Sequence, residues 1–475
     1  MRIVNPNNPI TSEWLAEQGY RLDPAPYLSG ALEARKLLER VPRTDRLSDL
    51  TAGFNGGIFN GPKFRRIYVT DREHGVPFLG STDMMEIDFT NLPHLKKSDA
   101  VSTKLAHLQV KPGMTLISCS GSVGRMGYVR PDMASFWSSQ DILKVEADPG
   151  QIRSGYLYAF LSSRYGEALV KSSAYGAIIQ HLEPQHITDL PVPRFSDELE
   201  RKIHNLVEEA ARLRAGFQAG LTAATEDFFK SVGLSELNAL RWHEQQRDLG
   251  FEVTGVTSTS LRAMNYSGRA VRITEALASV EHLPLGNICR NGLLGTGPMF
   301  KRIDGDYDYD GVLLVGQRQG WWARPEDGRV LSRAHTPRQC FVPDETIMVG
   351  AQGLPSENGL LGRAMMVTGS WKKHAYSQHF LRIASGLHEV PGAFLLSFFR
   401  SEISLRVFRS MMAGSGPQSL HAGMLRNFPI PLAAPADRDR ITETVRQAYR
   451  DRDEADRLED QALALLTTAI EEATA

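Results

Sequence analysis

The run DGDYDYDG places Asp306, Asp308 and Asp310 at alternate positions with Gly311 behind them, which is how a calcium-binding EF-hand loop opens. The twelfth position of such a loop needs Glu, and here it is Gln317. A solvated acidic loop entering a strand is the competing reading. Trp321 and Trp322 follow Gln317, Arg318, Gln319 and Gly320. Aromatics beside Arg and Gln can stack on or read bases, and they can equally be core. His243 in WHEQQR has no second histidine at the spacing that HExxH requires. The chain contains no GxxxxGK[ST] phosphate loop, no GxSxG nucleophile elbow and no [DN]PP[YF] run of the kind that holds an extruded base. Gly292, Gly295 and Gly297 are not spaced as GxGxxG. What remains are cations: Lys63, Arg65 and Arg66 in GPKFRRI, Lys301 and Arg302 in GPMFKRI, Arg125 and Arg363 each behind a glycine, and Arg318. Lys and Arg are the residue types that phosphate contacts use, and solvated surface charge is the alternative reading of each.

The elements that must hold these residues belong to a chain of 475 residues with net charge −1, 23% charged and 42% hydrophobic. That apolar content excludes intrinsic disorder. No run of about 18 apolar residues is present, which excludes a membrane-spanning helix. The opening MRIVNPNNPITSEW lacks a cationic-then-apolar signal, and Cys119, Cys289 and Cys340 are far apart without CxxC, so the cytoplasm is expected. At roughly 150 residues per domain the length suggests about three domains. Near-zero net charge leaves nucleic acid open, because charge can be segregated along the chain.

An internal repeat organises the sequence. Gly124-Arg125 returns as Gly362-Arg363, Ser139-Gln140 as Ser377-Gln378, Phe160 as Phe398, Ser163 as Ser401, Gly176 as Gly414 and Gln180 as Gln418, each 238 residues later. LPVP ending at Pro193 returns as FPIP ending at Pro431 at the same offset. The GPKFRRI and GPMFKRI runs, and Leu79-Gly80 against Val315-Gly316, are 236 apart. So long a period means two copies of a whole domain. Each copy reads as a helical lead-in (Ser29 to Val41; Ser267 to Val280), then short β-type runs separated by Gly and Pro. A helix follows (Gly155 to Lys171; Ala393 to Met411), then a Pro-bounded strand and a long charged helix.

The long helices carry heptad-like stripes. After Pro193 the stripe is Ile203, Leu206, Ala210, Leu213, Phe217, Gly220, Ala224 and Phe228. After Pro431 it is Ile441, Val445, Ala448, Ala455, Leu458, Ala462, Leu466 and Ala469, interrupted near Arg452. Asp197 and Asp437 stand where a cap or first-turn acid belongs. Each helix is expected to find its partner in the other, as an antiparallel coiled coil in an α+β chain of two mixed modules. Packing of each helix on its own module is the alternative.

The ordered runs SGSVGRMGYV, SSQDILKVEAD, GYLYAFLSSRYGEALV, YGAIIQHLEPQHITDLPVPRF and ERKIHNLVEEAARL resemble a target-recognition domain and its spacer helix, the pattern of specificity subunits of type I restriction–modification systems. The second copy repeats the order as GLLGRAMMV, YSQHFLRIAS, FLLSFFRSEI, GSGPQSLHAGMLRNFPIP and DRDRITETV, so the resemblance spans nearly the whole chain. It implies a lead-in over 1–44, recognition domains over 45–194 and 283–432, spacer helices over 195–234 and 433–475, and a linker with the second lead-in over 235–282. It further implies that each domain reads half of a bipartite, asymmetric target in double-stranded DNA. The helices would dock two methyltransferase subunits, which carry S-adenosylmethionine, and a motor-nuclease subunit can join. The chain itself would be non-catalytic. A stand-alone DNA-binding defence or regulatory protein, a protein-binding scaffold and an enzyme with an unrecognised site are the other classes.

Overall fold

A computed structural model describes residues 10–475 except 18–19, 21, 23–26, 28, 176–179, 247–248, 254–255, 257–259, 307–308 and 326–327. Gly176, Asp308 and the first nine residues of the opening read above lie outside the described residues. The chain forms two compact units, Met1–Ala215 with Glu454–Ala475, and Gly216–Asp453. The division falls inside both long helices rather than at their ends.

In the first unit a four-stranded sheet takes the order Ile58–Phe59, Ile142–Val145, Thr115–Ser118, Met126–Tyr128. In the second unit the order is Leu293–Thr296, Phe380–Ala384, Thr346–Gly350, Ala364–Val367. The registers agree residue by residue. Ile58 pairs with Val145 as Leu294 pairs with Ile383. Thr115 faces both Tyr128 and Val145, as Ile347 faces Met366 and Ile383. Phe78 runs parallel to Trp137 as Leu314 does to Ala375, and Thr44 pairs with Pro193 as His282 does with Pro431. A one-residue slip would exchange the two faces of every strand, so identical register requires matching positions in both copies. The two central strands of each sheet are short and buried on both faces, as in TLIS and TIMVG.

The helix expected over Gly155 to Lys171 is two helices, Ser154–Ser162 and Arg164–Ser172. Ser163 adopts an extended backbone between them, and its Oγ accepts from the Gly166 N–H at 3.2 Å. The second copy breaks likewise at Ser401, whose Oγ accepts from Ser404 N–H between Gly392–Phe399 and Glu402–Ser410. Side-chain capping of the second helix outcompetes a continuous helical turn there. The lead-in helices are Ala31–Leu38 and Gly268–Ala278.

The long helices are Asp197–Ser231 and Pro435–Thr474. Ser196 caps the first through Leu199 N–H, which makes Asp197 a first-turn acid that pairs with Arg153. The helix stops at Gly233, φ +74°, where Leu234 N–H reaches Phe229 O and Gly233 N–H reaches Lys230 O. Proline opens the second helix, where its missing N–H leaves no bond unmade.

Their buried stripes differ from the expected ones. The central series is Ile203, Val207, Ala210, Arg214, Phe217, Leu221, Ala224 and Phe228, with Leu206, Leu213 and Gly220 only half-buried. The C-terminal series runs Ile441, Val445, Ala448, Arg452, Ala455, Glu459, Ala462, Leu466 and Ile470, with Leu458 beside it. Arg214, Arg452 and Glu459 occupy buried stripe positions that an apolar pattern passes over. In the first unit Ile203 and Val207 share a core with Ala462, Leu466 and Ile470, and Ala210 packs with Ala455 and Leu458. Arg214 donates to Asp456 at 2.9 Å and Glu459 at 2.5 Å, and Tyr158 donates to Glu459 at 2.6 Å. In the second unit Phe217 meets Tyr449 edge-on, centroids 5.2 Å apart, and Arg440 pairs with Asp227 at 2.9 Å. Arg452 fills its stripe position between the Trp371 and Tyr449 rings, at 4.6 and 4.7 Å. Among the described residues no helix is long and apolar enough to cross a membrane.

Candidate nucleic-acid interface

Alternation places the basic run of each module. In GPKFRRI, Lys63 and Arg65 are exposed and Phe64 turns inward, 6.2 Å from the Phe78 ring. In GPMFKRI, Lys301 is exposed, Met299 is 86% exposed, and Phe300 packs against Val312 and Leu314. The inward phenylalanine fixes which neighbours face water. Gly61 brings the first run against the rest of its module, since a Cβ there would meet Leu108 and approach the Gln140 backbone. A side chain at Gly297 would collide with Arg382.

Arg66 is half-buried. Its Nη2 donates to Gln140 Oε1 at 2.9 Å and to Asp141 Oδ2 at 3.0 Å, and its guanidinium lies over Phe78 at 5.4 Å. Arg302 does the equivalent, donating to Gln378 Oε1 at 3.3 Å. Both glutamines follow a buried serine whose N–H is tied to the neighbouring strand, Ser139 to Leu79 O and Ser377 to Val315 O. Arg318 is exposed beside the short turn Gln319–Trp321. Arg125 is half-buried, and its N–H donates to Ser118 Oγ.

Arg363 was expected among the DNA-facing cations, and its placement corrects that expectation. It is 5% exposed, with its guanidinium 5.4 Å from the Trp321 ring. The Trp321–Trp322 pair is core, each nearly fully buried, with Trp321 5.8 Å from Phe380. Asp310 leads directly into the strand Gly311–Val315, as the strand reading requires.

Sequence reasoning passed over the residues beside the basic runs. Ser139-Gln140 and Ser377-Gln378 mark the repeat in the sequence, and Gln is also a base-reading type. Lys144 and Arg382, 238 residues apart, carry no local signal of a role; each is a buried cation on the sheet. Lys144 Nζ donates to Ser139 O and Ile142 O at 3.2 and 2.9 Å, and Arg382 Nη2 to Tyr376 O at 2.8 Å. Burial pushes the Lys144 ammonium down to about 7, against the opposing influence of Cys119 and Asp141. These two hold the carbonyls of the turn that presents the glutamine, so their role is positional.

No family model matches the chain, and no curated protein matches it. Among solved structures it is similar to the S subunit of a type I restriction-modification system from M. genitalium, at 13% identity over 91% of this chain and 94% of that one, TM-score 0.35. It is also similar to the HsdS subunit from Thermoanaerobacter tengcongensis, at 14% identity over 90% and 96%, TM-score 0.25. A third similar chain belongs to a structure of the complex assembly and conformational transition of the type I R-M system, at 12% identity over 90% and 98%, TM-score 0.27.

Proposed function

We propose that this chain is the non-catalytic DNA-specificity subunit of a type I restriction–modification complex. One observation carries the proposal: two sequence-divergent copies of one module repeat the same strand register, the same serine-capped helix break and the same Arg–Gln contact, and each leads into a long helix. A protein that reads a two-part DNA sequence needs one reading module per part, and divergent copies read an asymmetric site. Lys63, Arg65, Lys301 and Arg318 supply cations for phosphates, and Arg66, Arg125 and Arg302 lie closer to the module surface they border.

In this reading the helices Asp197–Ser231 and Pro435–Thr474 pair as an antiparallel coiled coil that spaces the two modules. Their stripe residues Ile203, Ala210, Phe217, Ile441, Val445, Ala448 and Leu466 are consumed within the chain. Two methyltransferase subunits therefore dock on the outward faces of the helices. Those subunits supply S-adenosylmethionine and the methyl transfer, a motor-nuclease subunit joins when restriction accompanies methylation, and the assembly works on double-stranded DNA in the cytoplasm. The test is co-expression with the methyltransferase encoded beside its gene, followed by adenine-methylation mapping of host DNA. A methylated, asymmetric, two-part motif is expected. No methylation and no co-purifying complex would overturn the proposal in favour of a stand-alone DNA-binding protein.

A further inference from the structure

The two modules share the Arg–Gln contact and differ in the residue next to it. In the first module Asp141 closes a triad: Gln140 Nε2 donates to Asp141 Oδ2 at 3.1 Å, and Arg66 donates to both. The triad is partly open to solvent, the Arg66 and Asp141 side chains being 29% and 37% exposed. In the second module the same position, 238 residues on, is His379. Its Nδ1 lies 2.5 Å from Gln352 Oε1, and Gln317 holds the Gln352 backbone from both sides. The second module reaches Gln352 because its chain between Gly350 and Gly362 is longer than the matching stretch from Ser118 to Gly124. Burial, and then the charge of Arg302, push the His379 imidazole below its ordinary range, so it is neutral near pH 7.

Several facts set this cluster apart from an ordinary surface ion pair. It recurs at matching positions in both copies. It combines the two side-chain types that make bidentate contacts to base edges, Arg to guanine and Gln to adenine. A buried serine and a buried cation hold each glutamine's turn, which is the rigid support that a reading side chain requires. Beside each cluster runs the exposed basic segment suited to the phosphate backbone. The one substituted position also changes the hydrogen-bond code. A carboxylate only accepts, which suits the donor edge of cytosine N4 or adenine N6, and it neutralises Arg66. A neutral imidazole leaves Arg302 its full charge for the acceptor edge of guanine.

We infer that Arg66–Gln140–Asp141 and Arg302–Gln378–His379 are the corresponding base-reading clusters of the two modules, and that Asp141 against His379 gives the two halves of the target different bases. This inference rests on the DNA-reading function proposed above. The experiment is methylation mapping of the co-expressed complex with Asp141→His and His379→Asp, each in the full chain. The expected result is a parental motif that Asp141→His alters in one half and His379→Asp in the other, with about a tenfold change in base preference at one or two adjacent positions. An unchanged motif in both variants overturns the inference and leaves the proposed function standing. A parent that yields no motif overturns both. Where Asp141→His melts with the parent and yields no methylation, Asp141→Asn, which keeps the shape and removes the charge, decides: a changed base supports the inference, and the parental motif overturns it.

Discussion

At the scale of single residues, the informative groups are charges where a nonpolar side chain would be expected. Arg214 sits in the helix stripe with Glu459, Asp456 and Tyr158 around it. Burial opposes its charge, but the two carboxylates outweigh burial and raise its pKa well above the ordinary value. Removing one partner strands the other in a low-dielectric core. Arg214→Leu should therefore cost about 3 kcal/mol, and the pair Arg214→Leu with Glu459→Leu should recover most of it. Urea midpoints of the two variants check this; equal losses would mean that the ion pair is not the source. His374 gives a pH prediction. Its side chain is 6% exposed; burial, and then Lys373 and Arg452, push its pKa from 6.5 down to about 4. The unfolded chain takes up the proton first, so stability is level above pH 6.5, falls as pH drops from 6.5 to 4, and levels off below that. His374→Phe should flatten this window in a series of melts from pH 7 to pH 4.

At the scale of elements, the duplication allows paired predictions. Ser163 and Ser401 cap the second helix of the broken pair in each copy with the same hydroxyl geometry. Ser163→Ala and Ser401→Ala should each cost about 1 kcal/mol, and by similar amounts, in denaturant titrations followed by circular dichroism. Unequal losses would show that the two breaks, alike in sequence, are held by different forces. The strands and lead-in helices were legible in the sequence because their apolar runs and Gly/Pro boundaries are local signals. The helix break was not, since Gly155 to Lys171 is helix-compatible in its pattern and the Ser163 cap onto Gly166 is visible only in the folded chain. The stripes were legible in period but not in phase. Apolar periodicity selected Leu206, Leu213 and Ala469, whereas Val207, Arg214 and Ile470 take the buried positions.

At the scale of the whole molecule, the near-neutral chain hides basic segments that bear on DNA binding. If Lys63, Arg65 and Lys301 meet phosphates, replacing any one by alanine should weaken binding across sequences. It should also lower the slope of log affinity against log salt by about 1, without altering the methylated motif. Binding measured between 50 and 200 mM salt would show it, and an unchanged slope would remove that residue from the interface. Arg363→Ala should act differently. Its guanidinium packs on Trp321, so stability should fall while the salt slope holds.

The amino-acid sequence by itself determined that the chain is a duplication, because a constant offset survives divergence at positions that turns, caps and cores cannot change. It determined the period of the long helices and the location of the basic runs for the same reason: these are properties of neighbouring residues. Only the tertiary structure decided which residues of the stripes are inside, that Arg363 and the tryptophan pair are core, and that Arg66 and Arg302 each meet a glutamine about 75 positions away. Those outcomes depend on pairings between distant strands, where burial and hydrogen-bond partners are set by what the fold brings alongside rather than by sequence neighbours.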